Sequence, residues 1–237
     1  MTPTSWPRPF YPFVVALTLL TFQGSSTAQA ESGLGLDVSH HSGEVDWPQV
    51  AKETAHAFVY VKATEGIDDV DPAFDDHWES LGRLNIPRGA YHFYVTEDDP
   101  EAQAEFFLSR YTPSPGDLAP VVDIELLGHG TTGDLRPGLR RFLDLVFERV
   151  GVRPVIYTST RFWSAHFDDS FSDHPLWIAE YEVDAPTLPT GWSSWTFWQY
   201  EDDGAVPGVE KDADRSRVHP EVYLDTLRIP DASAPPL

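Results

Sequence analysis

The strongest constraint on this chain is an alternation along its length. Short runs rich in β-branched and aromatic residues recur between segments that carry helix signals. Such runs fall at 33–38 (GLGLDV), 57–62 (AFVYVK), 88–94 (RGAYHFY), 119–125 (APVVDIE), 154–158 (PVIYT), 176–180 (LWIAE) and 195–200 (WTFWQY), with a weaker eighth around 212–214. Strands alternating with helical crossovers predict a parallel sheet, and about eight of them predict a closed or nearly closed barrel. The expected fold class is α/β, an irregular TIM-like β/α barrel forming a single domain. Chemistry in such a fold belongs at the C-terminal ends of the strands.

The clearest helix is expected over 135–150. Leu139, Phe142, Leu143, Val146, Phe147 and Val150 recur there at helical spacing, and Gly151 ends the run. Asp71-Pro72 and Asp99-Pro100 each read as a cap followed by Pro at the first helical position.

Composition narrows the class further. The chain has 237 residues, with 38 Asp and Glu against 16 Lys and Arg, for a formal net charge of −22. A nucleic-acid binder needs a basic face, so that role is excluded. With 41% hydrophobic and 13% aromatic residues, the chain is no disordered acidic tail. It contains no cysteine, which removes disulfides, thiol nucleophiles and Cys-ligated zinc.

Residues 1–30 hold no acid and one base, Arg8; an apolar run, Phe13 to Phe22, precedes Ala28-Gln29-Ala30. That layout is expected to be a secretory signal peptide, cleaved after Ala30 to leave 207 residues. An uncleaved N-terminal anchor is the rival reading. The expected location is secreted or periplasmic, with no stable membrane association after cleavage. Residues 31–229 are expected to form the catalytic domain, followed by a short Pro-rich tail, 230–237.

The first strand ends in Asp37 and the fourth in Asp123-Ile124-Glu125. Residues i and i+2 of a strand share a face, so Asp123 and Glu125 project together and Ile124 faces away. Carboxylates crowded at a barrel mouth raise one another's pKa, giving a protonated acid beside an ionised partner. Glycosidic bond cleavage requires that pairing. A solvated pair, a helix cap or a calcium or magnesium site are the alternatives, although no D-x-D-x-D-G loop or H-x-x-x-H pair is present. Of His40 and His41, one is expected to line the cleft and the other to be solvated. Aromatic residues cluster near the third and seventh strands, where their rings either stack on sugars or fill the core.

Several motifs in one order resemble a known family. GLDVSHHSGEVDW (35–47), FVYVKATEG (58–66), GAYHFY (89–94), VVDIE (121–125), VIYTSTRFW (155–163), LWIAEY (176–181) and FWQYEDDGAVPG (197–208) are similar to the family 25 glycoside hydrolases, lysozymes of the muramidase type. The resemblance covers about 33–218. It implies a β/α barrel with less regular late strands. It also implies hydrolysis of the β-1,4 bond between N-acetylmuramic acid and N-acetylglucosamine in peptidoglycan.

Carried over by position, Glu125 is the implied general acid/base and Asp123 the carboxylate that steadies positive charge or orients the substrate's N-acetyl group. Asp37 matches the acid of the opening D-V-S motif, and Asp214 is the candidate fourth acid. The expected substrate-binding residues are Tyr94, His92, Tyr157, Trp198, Tyr200 and Glu65, with a structural ion pair to Lys62 as the alternative for the last. Two departures from the family pattern are Ser42 before Gly43, where Gln is usual, and Ser216 in place of Asn.

No metal or cofactor is expected, and the partner is peptidoglycan glycan strands met by a monomer. A non-catalytic glycan-binding module on the same fold, or a hydrolase of another N-acetylated polymer such as chitin, are the alternatives. The Asp123/Glu125 spacing leaves retaining and inverting outcomes open.

Overall fold

A computed structural model describes Met1, residues 33–53 and residues 56–231. The expected signal peptide and nearly all of the Pro-rich tail lie outside the described residues. In chain order the elements are β1 (Leu34–Val38), α1 (Trp47–Glu53), β2 (His56–Glu65), β3 (Asp69–Val70), α2 (Phe74–Arg83), β4 (Arg88–Phe93), α3 (Pro100–Arg110), β5 (Val121–Asp123), α4 (Arg136–Val150), β6 (Val155–Ser159), α5 (Thr160–His166), β7 (Leu176–Ala179), β8 (Phe197–Gly204) and β9 (Ala213–Val218). The sheet runs β1-β9-β8-β7-β6-β5-β4-β2-β3, and pairing of β1 with β2 closes eight of these strands into a barrel. The expected α/β barrel is the observed fold.

Its irregularity lies where the resemblance implied it would. From β1 through β8 the barrel neighbours β1–β2, β2–β4, β4–β5, β5–β6, β6–β7 and β7–β8 are parallel. The expected all-parallel sheet fails at β9, which runs antiparallel to both β8 and β1. The reason is connection length: only 205–212 separate β8 from β9, room for a hairpin but not for a helical crossover. The two-residue β3 adds a second antiparallel pairing, on β2.

Alternation along each strand sorts side chains into two layers. The outward layer packs under the helices and includes Leu36, Val38, Val59, Val61, Ala90, Val122, Ile124 and Ile156. The inward layer includes Phe58, Tyr60, Val121, Val155, Tyr157, Trp177 and Phe197. The large inward rings fit because glycines face them. A Cβ on Gly35 would lie 2.0 Å from the Phe58 ring, and one on Gly89 would lie 2.1 Å from the Tyr60 ring. These glycines are the register partners of Phe58 on β2 and of Tyr60 on β2, respectively. Phe58 then packs on Phe197 at 4.6 Å and Tyr60 on Trp177 at 5.0 Å between ring centroids.

Over Arg136–Val150 the residues Leu139, Phe142, Leu143, Val146 and Val150 are buried, and Gly151 closes the helix in the left-handed conformation. Phe147 departs from the expected stripe and is 39% exposed, with the Arg153 guanidinium 5.5 Å from its ring. Asp99 caps α3 through Ala102 N with Pro100 first in the helix, as expected. Asp71 does not cap α2, whose preceding residue is Ala73. Its carboxylate instead accepts from the backbone of His40 and Ala73 and pairs with His40 Nδ1 at 2.8 Å, tying the loop after β1 to the start of α2.

Candidate active site

A cleft of about 480 Å³ opens at the C-terminal ends of the strands, and Asp37, Asp123, Glu125 and Asp214 all line it. Each arrives by simple strand geometry. Asp37 is inward on β1, and Asp214 is its register partner on β9. Asp123 ends β5, while Glu125 lies two residues on, just beyond the strand rather than within it. Between them Ile124 is fully buried in the outward layer. The pair therefore projects into the cleft from a short, fully buried strand.

The four carboxyls do not have ordinary acidities. Burial pushes Asp37 well up, and the facing Asp214 pushes it further, against hydrogen bonds from Gln199. The two carboxyls act on each other: Asp214 raises Asp37, whereas Asp37 lowers Asp214 against its burial. Burial raises Asp214 to about 6. Asp123 is raised by burial and then by the charge of Glu125, while Lys62 opposes the rise. Glu125 is raised by burial. Asp123 Oδ1 is buried with no hydrogen-bond partner among the described residues. An acceptor left in that state costs on the order of 1–3 kcal/mol, so it is built to receive a donor.

Lys62 and Glu65 reach the cleft by a different route. Strict alternation would put residues three apart on opposite faces. The β2–β4 register slips between Lys62 and Thr64, so Ala63 and Thr64 both turn outward. Ala63 joins the helix-side core, and Thr64 Oγ1 bonds His92 Nδ1 at 2.8 Å. Lys62 and Glu65 thereby share the cleft and pair at 2.6 Å. The ion pair and the cleft position expected of Glu65 as alternatives are both present. Slips on β8 after Gln199 similarly bring Asp202, three residues on, to the cleft. Bulges beside active sites commonly re-aim side chains in this way.

Not every expected residue arrives. Tyr157 lines the cleft, as does His41, while His40 is held by Asp71. His92 and Tyr94 do not reach the cleft. Inward Tyr91 and Phe93 put them on the opposite face of the strand, where His92 stacks on Phe142 and bonds Gln103. Trp198 and Tyr200 likewise face outward, because Gln199 between them points in. Trp198 donates to the Glu180 carbonyl, and Arg217 stacks on both rings.

Tyr91 and Phe93, the alternative face of the third strand, line the cleft, and so do Trp177, Gln199 and Asp202, which are not among the expected site residues. Gln199 and Asp202 sit inside FWQYEDDGAVPG, where the aromatic neighbours carry the stronger sequence signal. Among the described residues, no group of three or more His, Asp or Glu side chains is placed to hold a metal ion.

A β/α barrel with converging carboxyls of raised pKa at its C-terminal mouth defines an acid–base enzyme of the barrel class. Comparison with known proteins makes the class specific. The sequence model of Glycosyl hydrolases family 25 matches residues 36–209, and the chain belongs to that family of glycoside hydrolases. Among curated relatives it is similar to the Uncharacterized protein YegX of Escherichia coli O6:H1, 33% identical over 184 residues, covering 76% of this chain and 67% of that one. It is 35% identical over 199 residues to Lysozyme M1 of Streptomyces globisporus, covering 77% and 66%. The chain thus spans about two thirds of the length of these relatives. The crystal structure of the bacterial lysozyme from Streptomyces coelicolor superposes with a TM-score of 0.75 at 32% identity, covering 80% of this chain and 93% of that one.

Proposed function

We propose that this enzyme is a lysozyme that cleaves the β-1,4 bond between N-acetylmuramic acid and N-acetylglucosamine in peptidoglycan. The observation that carries the reading is the unpartnered, buried Asp123 Oδ1 beside a Glu125 whose pKa burial has raised. Lys62 favours the charged form of Asp123, against its burial and the charge of Glu125, and burial favours a proton on Glu125. Glu125 donates that proton to the leaving glycosidic oxygen. Asp123 accepts from the acetamido N–H of the sugar on the other side of the bond. The acetamido oxygen is then aimed at the anomeric carbon, the substrate-assisted variant of glycoside hydrolysis. Water activated by Glu125, now a base, completes the reaction.

A hydrolase acting on wall polymer meets its substrate outside the cytoplasm. Residues 1–30 supply the export signal for this, the mature domain beginning at Glu31. No helix among the described residues is long and apolar enough to cross a membrane. The protein acts as a monomer on glycan strands and does not engage nucleic acid, as its net charge of −22 dictates.

The test is the release of new reducing ends from purified peptidoglycan, with the terminal sugar identified. Glu125→Gln is expected to lower kcat by about 10²–10⁴-fold, the usual worth of a positioned proton donor. Muramic acid at the new reducing end supports the assignment. Activity within threefold of the parent, or turnover of chitin in preference to peptidoglycan, overturns it.

A further inference from the structure

Gln199 is 2% exposed at the side of the cleft, and both ends of its amide are engaged. Its Nε2 donates to the two oxygens of Asp37 at 2.7 and 3.1 Å. Its Oε1 accepts from Tyr157 Oη at 2.7 Å and from Tyr181 Oη at 2.6 Å. Each phenol has one proton, and an amide donates from one end only. Turned over, the amide would set a carbonyl oxygen against the Asp37 carboxyl. The arrangement therefore has one direction, imposed by Asp37 and passed through Gln199 to both tyrosines.

We propose that Gln199 is a positioning residue that sets the hydrogen-bond polarity of this wall of the cleft. With the phenolic protons drawn onto its carbonyl, Tyr157 presents only lone pairs to a ligand, and Asp37 is held beside it as a further acceptor. The wall then selects sugar groups that donate, hydroxyl and amide N–H, as on an N-acetylated saccharide. A ligand that offers only acceptors at this position finds no donor there. This inference rests on the glycan-hydrolase reading above and specifies which face of the saccharide that site recognises.

The charged and titratable groups near the amide come from several elements. Asp37 lies on β1, Asp214 on β9, Asp123 on β5, Tyr157 on β6, Tyr181 just after β7, and Asp202 further along β8. A carboxyl in place of the amide would be nearly the same shape. Protonated, it still donates toward Asp37 and offers a carbonyl to the tyrosines. Ionised, it sets a second negative oxygen against Asp37, with Asp214 behind.

Gln199→Glu and Gln199→Met separate polarity from packing. Gln199→Met is expected to lose about 100-fold in kcat at every pH, the usual cost of misplacing a reacting group, with KM little changed. Gln199→Glu is expected to lie within about tenfold of the parent near pH 4 and to fall away as its new carboxyl, raised by burial beside Asp37 above the usual value of about 4.3, ionises. Parallel pH profiles for the two variants, or a Gln199→Met that keeps more than half of the parental kcat, overturn the proposal.

A second readout does not need turnover. The melting temperature of Gln199→Glu should drop relative to Gln199→Met as pH rises above about 4, since a buried ionised Glu would face Asp37. A difference that stays flat with pH overturns the assigned direction even in an active enzyme. If the parent releases no reducing ends from peptidoglycan, the lysozyme reading fails, and this melting series still decides the polarity of Gln199.

Discussion

Asp37 and Asp214 face each other as register partners, and burial raises both above the usual carboxylate range. A proton bound more tightly by the folded chain than by the unfolded one has a fixed consequence for stability. Below the unfolded carboxyl value of about 3.9 both states are protonated and nothing is lost. As pH rises toward the folded value of Asp214, about 6, the unfolded chain ionises while the folded one keeps its proton, so stability is progressively lost. Asp214→Asn is expected to remove this penalty. The variant should show a flatter melting temperature between about pH 4 and 6 and gain on the order of 1–2 kcal/mol at pH 7. A pH dependence as steep as the parent's, measured by thermal unfolding, would contradict a raised folded-state pKa at Asp214. Asp123 and Glu125 were legible as a pair because covalent strand geometry alone puts i and i+2 on one face, and Asp37 because it ends the first strand run. His92, Tyr94, Trp198 and Tyr200 were misplaced because alternation divides a strand into two faces without saying which one turns inward.

Among the strands, the decisive elements are those that break the alternation. The slip in β2 turns Ala63 and Thr64 outward together and brings Lys62 and Glu65 to one cleft, a result that a regular strand forbids. No residue type in VKATEG announces a bulge, so this was not legible in the sequence. The barrel floor shows the opposite case, in which a residue type carries the message. Gly35 and Gly89 sit opposite Phe58 and Tyr60, whose rings occupy the space where a Cβ would project. Gly35→Ala is therefore expected to force the Phe58 ring off its position and to cost about 1–3 kcal/mol in denaturant unfolding, the range for overpacking a core. Because Phe58 packs on Phe197 and Trp177 beneath the cleft, activity should fall with stability. An alanine variant as stable as the parent would mean that the floor has room to spare.

Taken whole, the molecule is strongly acidic, with a formal charge of −22, and its cleft concentrates that character in Asp37, Glu65, Asp123, Glu125, Asp202, Asp212 and Asp214. Lys62 is the lone lysine or arginine among the cleft-lining residues described. An anionic polymer is repelled by such a mouth, and salt relieves the repulsion. The Debye length shrinks from about 30 Å at 0.01 M to about 8 Å at 0.15 M ionic strength. Over that range kcat/KM on peptidoglycan bearing free stem carboxylates should rise severalfold, while kcat/KM on a short uncharged oligosaccharide should stay nearly flat. A fall with added salt on the anionic polymer would mean that the cleft attracts it, contrary to its lining. The class exclusions drawn from composition belong to this scale, because net charge is a property of the chain and survives any fold.

By itself the sequence determined the alternation that makes a β/α barrel, the order in which its strands fall along the chain, and the pairing of Asp123 with Glu125. All three follow from periodicities a few residues long, which covalent geometry enforces wherever the strand is placed. Only the tertiary structure decided which face of each strand turns inward, that β9 closes the barrel antiparallel, and that Asp37 meets Asp214. It likewise decided that the Gln199 amide spans Asp37, 162 residues away, and two tyrosines from other strands or their ends. Contacts of that range have no period to be read, because they exist only once barrel closure brings distant strand ends to a common mouth.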